Sequence, residues 1–246
     1  MKYKMYKVGG CVRDRLLGHF TNDIDFTFVL EDTSISVESG FQQMEDILAT
    51  EGFEIFLSTP TMFTVRAKFP KNHKFAGLVA DFVMARKEVG YVPGTRRPIL
   101  ELGSLEDDLV RRDFTLNALA EDEDGNVIDL FDGVGDLEAK LLRTPLSAEI
   151  TMMDDPLRIL RALRFSITKG FVIDWEIWEA MKQPEILNRL KTTVSGERVR
   201  EEVMKMMKFD TVKTLKLFCT VDNVIPSFTE FIFGTGMWLK PTFEKK

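Results

Sequence analysis

Cysteine and histidine are nearly missing from this chain of 246 residues, which has two of each. Cys11 and Cys219 are too few for a disulfide framework, so a reducing compartment is expected. His19 and His73 are too scattered for a zinc site. No run is long and apolar enough to span a bilayer, and the opening Met1-Lys2-Tyr3-Lys4-Met5-Tyr6-Lys7 has no signal-like apolar segment. The reading is a cytoplasmic protein that makes no membrane contact. Low-complexity segments and internal repeats are also lacking. So is an excess of positive charge: the formal net charge is −6. That excludes a protein binding nucleic acid by bulk charge, though not one with a local basic groove. The charge is uneven. From Lys191 onward ten Lys and Arg face seven Asp and Glu, a net +3, which leaves −9 on the first 190 residues. The basic end is either a nucleic-acid-facing surface or a solvated helix face. What remains is ordinary for a globular chain, 44% hydrophobic and 29% charged, with enough length for one large domain or two small ones.

The residues that are there concentrate chemistry near the start. Val8-Gly9-Gly10-Cys11-Val12-Arg13 reads as a tight turn opening a short helix, with Gly18 suited to its C-terminal cap. Free N–H groups in the first turn and the Arg13 guanidinium suit a phosphate. Asp23-Ile24-Asp25-Phe26-Thr27-Phe28 then reads as a strand. Asp23, Asp25 and Thr27 share one face, and Ile24, Phe26 and Phe28 bury on the other. Two carboxylates so spaced can hold hard cations such as Mg²⁺. Taken singly, a Gly-Gly is a turn and an Asp-x-Asp is surface. In this order and spacing they form one phosphoryl-transfer device.

Further along, 37–52 reads as a helix, and 53–57, 61–67 and 78–85 as strands of a small mixed sheet. Asp81 interrupts an apolar strand, so it is either a third acid beside Asp23 and Asp25 or a strand-end residue facing water. Residues 86–98, rich in Gly, Pro and basic side chains, read as a loop. Arg111-Arg112-Asp113-Phe114-Thr115-Leu116-Asn117 places Asp113 and Asn117 four apart on one helical face, with Arg112 beside them. An acid and an amide on one face suit sugar hydroxyls, and an Arg suits phosphate. Residues 121–126 form a hairpin turn. In Asp154-Asp155-Pro156-Leu157-Arg158 the Asp155 carboxylate and Arg158 guanidinium project together and can read the edge of a base without a template. The plain alternative is an exposed salt bridge. Arg161 and Arg164 extend that stripe. Trp175 and Trp178, three apart, are expected in the core, and Ser195 is an expected N-cap.

Together, Gly9-Gly10-Cys11-Val12-Arg13-Asp14, Asp23-Ile24-Asp25-Phe26, the 111–120 stretch and the 154–158 stretch resemble the signatures of the class II tRNA nucleotidyltransferase and bacterial poly(A) polymerase family. That family belongs to the polymerase-β-like nucleotidyltransferase superfamily. The resemblance implies an α+β fold: a small mixed sheet with flanking helices, followed by an all-helical neck. It divides the chain into a catalytic head (1–145), a nucleotide-recognition neck (146–208) and a short C-terminal extension (209–246) replacing the usual body and tail. It assigns Asp23 and Asp25 to catalysis and to two Mg²⁺ ions, with Asp81 as a third metal ligand. Gly9, Gly10 and Arg13 fall to phosphates, Arg112, Asp113 and Asn117 to sugar and triphosphate, and Asp155, Arg158 and Arg161 to the base of an incoming CTP or ATP. Asp154 stands where the family has Glu. The 86–98 segment matches a flexible loop that helps the switch from C to A addition, 132–137 a hinge-like turn, and 192–207 a structural brace. The implied activity is template-independent addition of CCA to the 3′ end of tRNA with release of pyrophosphate. Oligo(A) addition to another RNA 3′ end, partial addition of CC or A, and an inactive relative that binds RNA or a protein are the alternatives. The second stretch and the Asp-x-x-Arg pair disfavour a small-molecule nucleotidyltransferase. The sequence does not set the oligomeric state.

Overall fold

The computed structural model describes residues 2–91 and 98–234. The chain divides into two compact units, Met1–Leu137 and Glu138–Lys246. The first holds β1 (Tyr3–Val8), α1 (Gly10–Leu16), β2 (Ile24–Leu30), α2 (Val37–Thr50), β3 (Glu54–Thr59), β4 (Thr64–Lys68), β5 (Val79–Met84), β6 (Arg86–Tyr91), β7 (Pro98–Leu102), α3 (Leu105–Val110), β8 (Leu119–Glu121) and β9 (Val127–Asp129). Seven strands form one sheet in the order β3-β4-β5-β2-β1-β8-β9. Only β2 and β5 run parallel within it, and the other neighbours are antiparallel. This is the mixed α+β sheet with flanking helices that the sequence implies.

Alternation along β2 decides what each face does. Ile24, Phe26, Phe28 and Leu30 bury in one core with Phe41, Met44 and Leu48 of α2 and Phe82 of β5. Each such side chain contributes roughly 1.5–3 kcal/mol through burial. Ser36 caps α2 by accepting the Ser39 N–H. The opposite face of β2 carries Asp25 and Thr27. On that side a second, smaller cluster forms from Val8, Leu109, Ala118 and Ala120. The interior strand β1 is flanked by residues distant in sequence: Val8 pairs with Asp25 on one side and with Ala120 on the other.

Three local readings are corrected. Residues 86–98 are not a plain loop, because β6 and β7 pair as an antiparallel ribbon from Arg86↔Leu102 to Tyr91↔Pro98. A cross-strand Lys87–Glu101 ion pair at 3.3 Å accompanies it, and residues 92–97 lie outside the described ones. The helix around 105–117 stops early. α3 ends at Val110, and Thr115–Asn117 is a separate 3₁₀ turn. The cause is local, since the Asp113 carboxylate accepts its neighbour's N–H, that of Phe114, at 2.9 Å and competes with the helical ladder. In 61–67 the strand begins only at Thr64, after Phe63 takes a left-handed conformation with φ 54°.

α4 (Gly133–Ala139) spans the division between the units. The second unit holds α5 (Ala148–Asp154), α6 (Arg158–Thr168), α7 (Trp175–Met181), α8 (Pro184–Thr193), α9 (Gly196–Phe209), α10 (Thr211–Val224) and α11 (Phe228–Phe233). A short parallel pair, Leu141–Leu142 with Val172–Ile173, joins them. Ser147, Asp174, Ser195 and Asp210 each accept a first-turn N–H as N-caps. α6 and α9 pack on each other and bury Ile159, Leu160 and Leu163 with Val199, Val203 and Met206. Trp175 departs from its expected core position, at 68% exposure in the first turn of α7. Among the described residues no helix is long and apolar enough to cross a membrane.

Candidate active site

The Gly9-Gly10 turn is the hub of the site in the first unit. Gly9 has φ 75° and donates its N–H to the Leu119 carbonyl at 3.1 Å. The positive φ favours glycine, and a Cβ built there would lie 2.7 Å from Arg112 Nη1, so any larger residue would have to displace the tip of that side chain. α1 starts at Gly10, inside the glycine pair and a residue or two before the start at Cys11 or Val12 that the sequence suggests.

Behind the turn lies a buried polar network. Arg13, 7% exposed, donates from Nε and Nη2 to the Asp14 carboxylate and from Nη1 to Asn117 Oδ1 at 2.6 Å. Asn117 in turn donates to Asp113 Oδ1 at 2.9 Å. The structure thus joins Asp113 and Asn117 through a turn instead of one helical face, and ties them to Arg13, which the sequence groups with the glycines and not with this pair.

In front of it stand the acids. Asp25, in β2, is partly buried, and Asp23 lies exposed just before that strand. Burial, and then the neighbouring Asp23 charge, push the Asp25 carboxyl up to about 6; Arg112 pulls the other way, and Asp81 adds to the rise. A second ring of charge surrounds Asp108 of α3, which is 1% exposed. Its Oδ2 accepts from Thr27 Oγ1 at 2.7 Å and from Arg112 Nη2 at 2.7 Å, and its Oδ1 accepts from Arg111 Nη2 at 2.6 Å. Burial raises the Asp108 carboxyl, but the two guanidiniums and the hydroxyl outweigh it and hold it well below the usual carboxylate range. Sequence reasoning passed over Asp108 and placed Thr27 only on the strand face it shares with Asp25. The available signal was the i,i+4 spacing of Asp108 and Arg112.

The acids at the site fit a divalent cation. They offer only hard oxygen donors, and Asp25, raised first by burial and then by Asp23, has Asp81 as a further acid close enough to add to the rise. Asp81 pairs with Asp25 in the parallel ladder, yet its carboxylate lies 3.8 Å from Arg66 Nε. Among the described residues no three His, Cys, Asp or Glu side chains are grouped to hold one ion.

In the second unit, Asp155 lies in extended backbone between α5 and α6. Its Oδ1 accepts the Leu157 N–H at 3.1 Å, and its Oδ2 meets Arg198 Nη2 at 3.0 Å. Arg158 donates Nη1 to the Thr151 carbonyl at 3.0 Å and approaches Asp154 at 3.4 Å. Arg161 lies over the Phe165 ring, 5.9 Å from its centroid. Asp155 and Arg158 are therefore each anchored by a different partner. Arg198, read from the sequence as part of a structural brace, is one of those anchors.

Comparison with known proteins accords with this geometry. The family described as the poly A polymerase head domain matches residues 5–143. The chain is 35% identical over 216 residues to nucleotidyltransferase lcsQ of Purpureocillium lilacinum, covering 81% of this chain and 35% of the relative. It is 35% identical over 206 residues to the CCA-adding enzyme of Lactobacillus johnsonii, covering 83% and 46%. The chain thus spans about a third to a half of the length of these relatives. Among solved structures, the Bacillus stearothermophilus CCA-adding enzyme in complex with CTP superposes with a TM-score of 0.70 at 28% identity, covering 91% of this chain and 50% of that one. A tRNA nucleotidyltransferase with primer tRNA and an incoming ATP analogue gives a TM-score of 0.66 at 30% identity, covering 92% and 60%. With more than half of its residues inside the matched region, the chain belongs to the poly A polymerase head-domain family.

Proposed function

We propose that the protein transfers nucleotides from CTP and ATP to an RNA 3′ end without a template, that the RNA is tRNA, and that the product is the CCA end. One observation carries the reading: a half-buried acid, Asp25, stands in β2 beside a glycine turn over which Arg112 is fixed. That combination suits in-line phosphoryl transfer, where little covalent chemistry is asked of the protein and positioning of charge does most of the work. The relatives named as CCA-adding enzymes and the neighbours solved with CTP or with primer tRNA and an ATP analogue support the substrates.

Asp23 and Asp25 are the proposed holders of Mg²⁺, with Asp81 in reserve on the adjacent strand. Bound Mg²⁺ supplies activation of the RNA 3′-hydroxyl and neutralisation of the triphosphate. The Gly9-Gly10 turn and Arg112 grip the phosphates, with Arg13 bracing the turn through Asn117 and Asp113, which face the sugar. Asp155 and Arg158, with Arg161 beside them, read the base edge. In this reading 1–145 act as head, 146–208 as neck and 209–246 as an extension, in a cytoplasmic enzyme. Oligo(A) addition is the second reading, supported by the family's own description.

The test is single-nucleotide extension of tRNAs ending before C, after C and after CC, each with labelled CTP or ATP and Mg²⁺. An unrelated RNA and Asp23→Ala serve as controls. Stepwise C, C, A addition on tRNA, lost in the variant, upholds the proposal. Addition of A alone to any RNA moves it to oligo(A) polymerase. No transfer on any substrate refutes both and favours a binding protein.

A further inference from the structure

We infer that Asp108 is the positioning residue of the nucleotide site: its buried carboxylate fixes the Arg112 guanidinium over the Gly9 turn, ready for a triphosphate. The inference rests on the nucleotide-transfer reading above. A carboxylate removed from water is costly unless it is paired and hydrogen-bonded, and Asp108 has two guanidiniums and one hydroxyl for this. Arg112 gives Nε and Nη2 to Asp108, at 3.3 and 2.7 Å. Its Nη1 donates no hydrogen bond among the described residues. That same atom is the one a Cβ on Gly9 would meet at 2.7 Å. The guanidinium is therefore locked along one edge and presents the remaining amino group beside the turn. A mere staple between α3 and β2 needs only the Thr27–Asp108 bond. It does not need a fork held on one side and open on the other. The staple itself adds register, because Thr27 lies two residues from Asp25 on the same face of β2. Asp108 thus ties the phosphate-gripping group to the strand that carries the acid.

The test is a double-mutant cycle on the full chain, with Asp108→Asn, Arg112→Ala and both together, read as kcat and KM for the nucleotide and for the RNA. Asp108→Asn is expected to lose about 100-fold in kcat/KM for the nucleotide while KM for the RNA stays unchanged. The double variant is expected to be no worse than Arg112→Ala. Losses that multiply, equal damage to both substrates, or wild-type kinetics in Asp108→Asn would overturn the inference. If Asp108→Asn does not fold, Thr27→Val takes its place. About a 10-fold loss that vanishes in the Arg112→Ala background is then expected, and the same loss in both backgrounds refutes the inference. A readout independent of transfer separates this idea from the function it rests on. In ¹⁵N-labelled protein the Arg112 Nε–H signal, assigned by its loss in Arg112→Ala, is expected to resist solvent exchange in the wild type and to lose that protection in Asp108→Asn or Thr27→Val. A wild type that transfers no nucleotide yet keeps this difference refutes the function and upholds the fixing of Arg112. Equal exchange in wild type and variant refutes the fixing itself.

Discussion

Asp25 and Asp108 are two acids removed from bulk water on one side of one sheet, and their surroundings are opposite. Asp108 is enclosed by Arg111, Arg112 and Thr27, which hold its carboxyl well below the usual range. Asp25 meets burial and two further acids, and its carboxyl rises to about 6 even with Arg112 nearby. The first acid has its counter-charge built into the protein. The second has only Arg112 and Arg66 acting at longer range against burial and its neighbouring acids. Arg112 serves both, being bonded to one and only attracted to the other.

The sharpest way to break this contrast is transfer activity. Asp25→Ala is expected to lose on the order of 10³-fold or more in nucleotide transfer; retention of a tenth of wild-type activity would end the assignment. Stability should then separate the two acids by sign. In urea denaturation without metal at pH 8, Asp108→Asn is expected to cost about 2 kcal/mol, because the buried site loses its charge-assisted bonds to the half-buried Arg112 and to Thr27. Asp25→Asn is expected to stabilise by about 2 kcal/mol, after allowance for partial solvent exposure. The same direction in both variants would erase the distinction. Mg²⁺ extends the comparison: at a hundredfold excess over Kd it should stabilise the wild type by about 2.7 kcal/mol and leave Asp25→Asn nearly unmoved.

The pH dependence follows from the sign of each shift. The Asp25 carboxyl, raised from 3.8 to about 6, binds a proton in the folded protein at pH values where the unfolded chain has released it. Its favourable contribution is full below its unfolded value and is lost as pH rises through about 6. The advantage of Asp25→Asn over wild type should therefore appear above pH 6 and fade toward pH 4. Asp108 runs the other way. Its contribution is present above the ordinary carboxylate range and is lost as pH falls toward its depressed value. The smallest effect sharpens the geometry. Gly9 and Gly18 have nearly the same φ, 75° and 74°, but only Gly9 meets Arg112. Gly18→Ala should cost about 1 kcal/mol of stability and leave transfer intact, whereas Gly9→Ala should also impair transfer.

Much of the fold was legible in the sequence because alternation and capping are local. Ile24, Phe26 and Phe28 had to bury together, and Ser195 caps α9 where the sequence expects a cap. The acids and the glycine turn were legible as chemistry. What spacing could not give was partnership. Asp113 and Asn117 meet through a turn because Asp113 bonds its neighbour's N–H. Asp155 and Arg158 are claimed by Arg198 and by Asp154 with the Thr151 carbonyl. Asp108 escaped notice because one acid in Glu106-Asp107-Asp108 reads as helix-start decoration until the fold buries it. Trp175 is exposed because its place in the first turn of α7 faces outward, a choice that the three-residue spacing to Trp178 does not reveal.

The position of β1 has a consequence for how the molecule is made. Its two partners come from residues 24–30 and from residues 119–121, and the Gly9 N–H closes onto the Leu119 carbonyl. During synthesis, at about 5–20 residues per second, the glycine turn emerges first but cannot be locked until more than a hundred further residues have followed. Asp108 and Arg112 arrive in that same late stretch. A ribosome-bound fragment ending before β8 therefore carries both acids and the glycine turn, but not the Leu119 carbonyl onto which the turn closes.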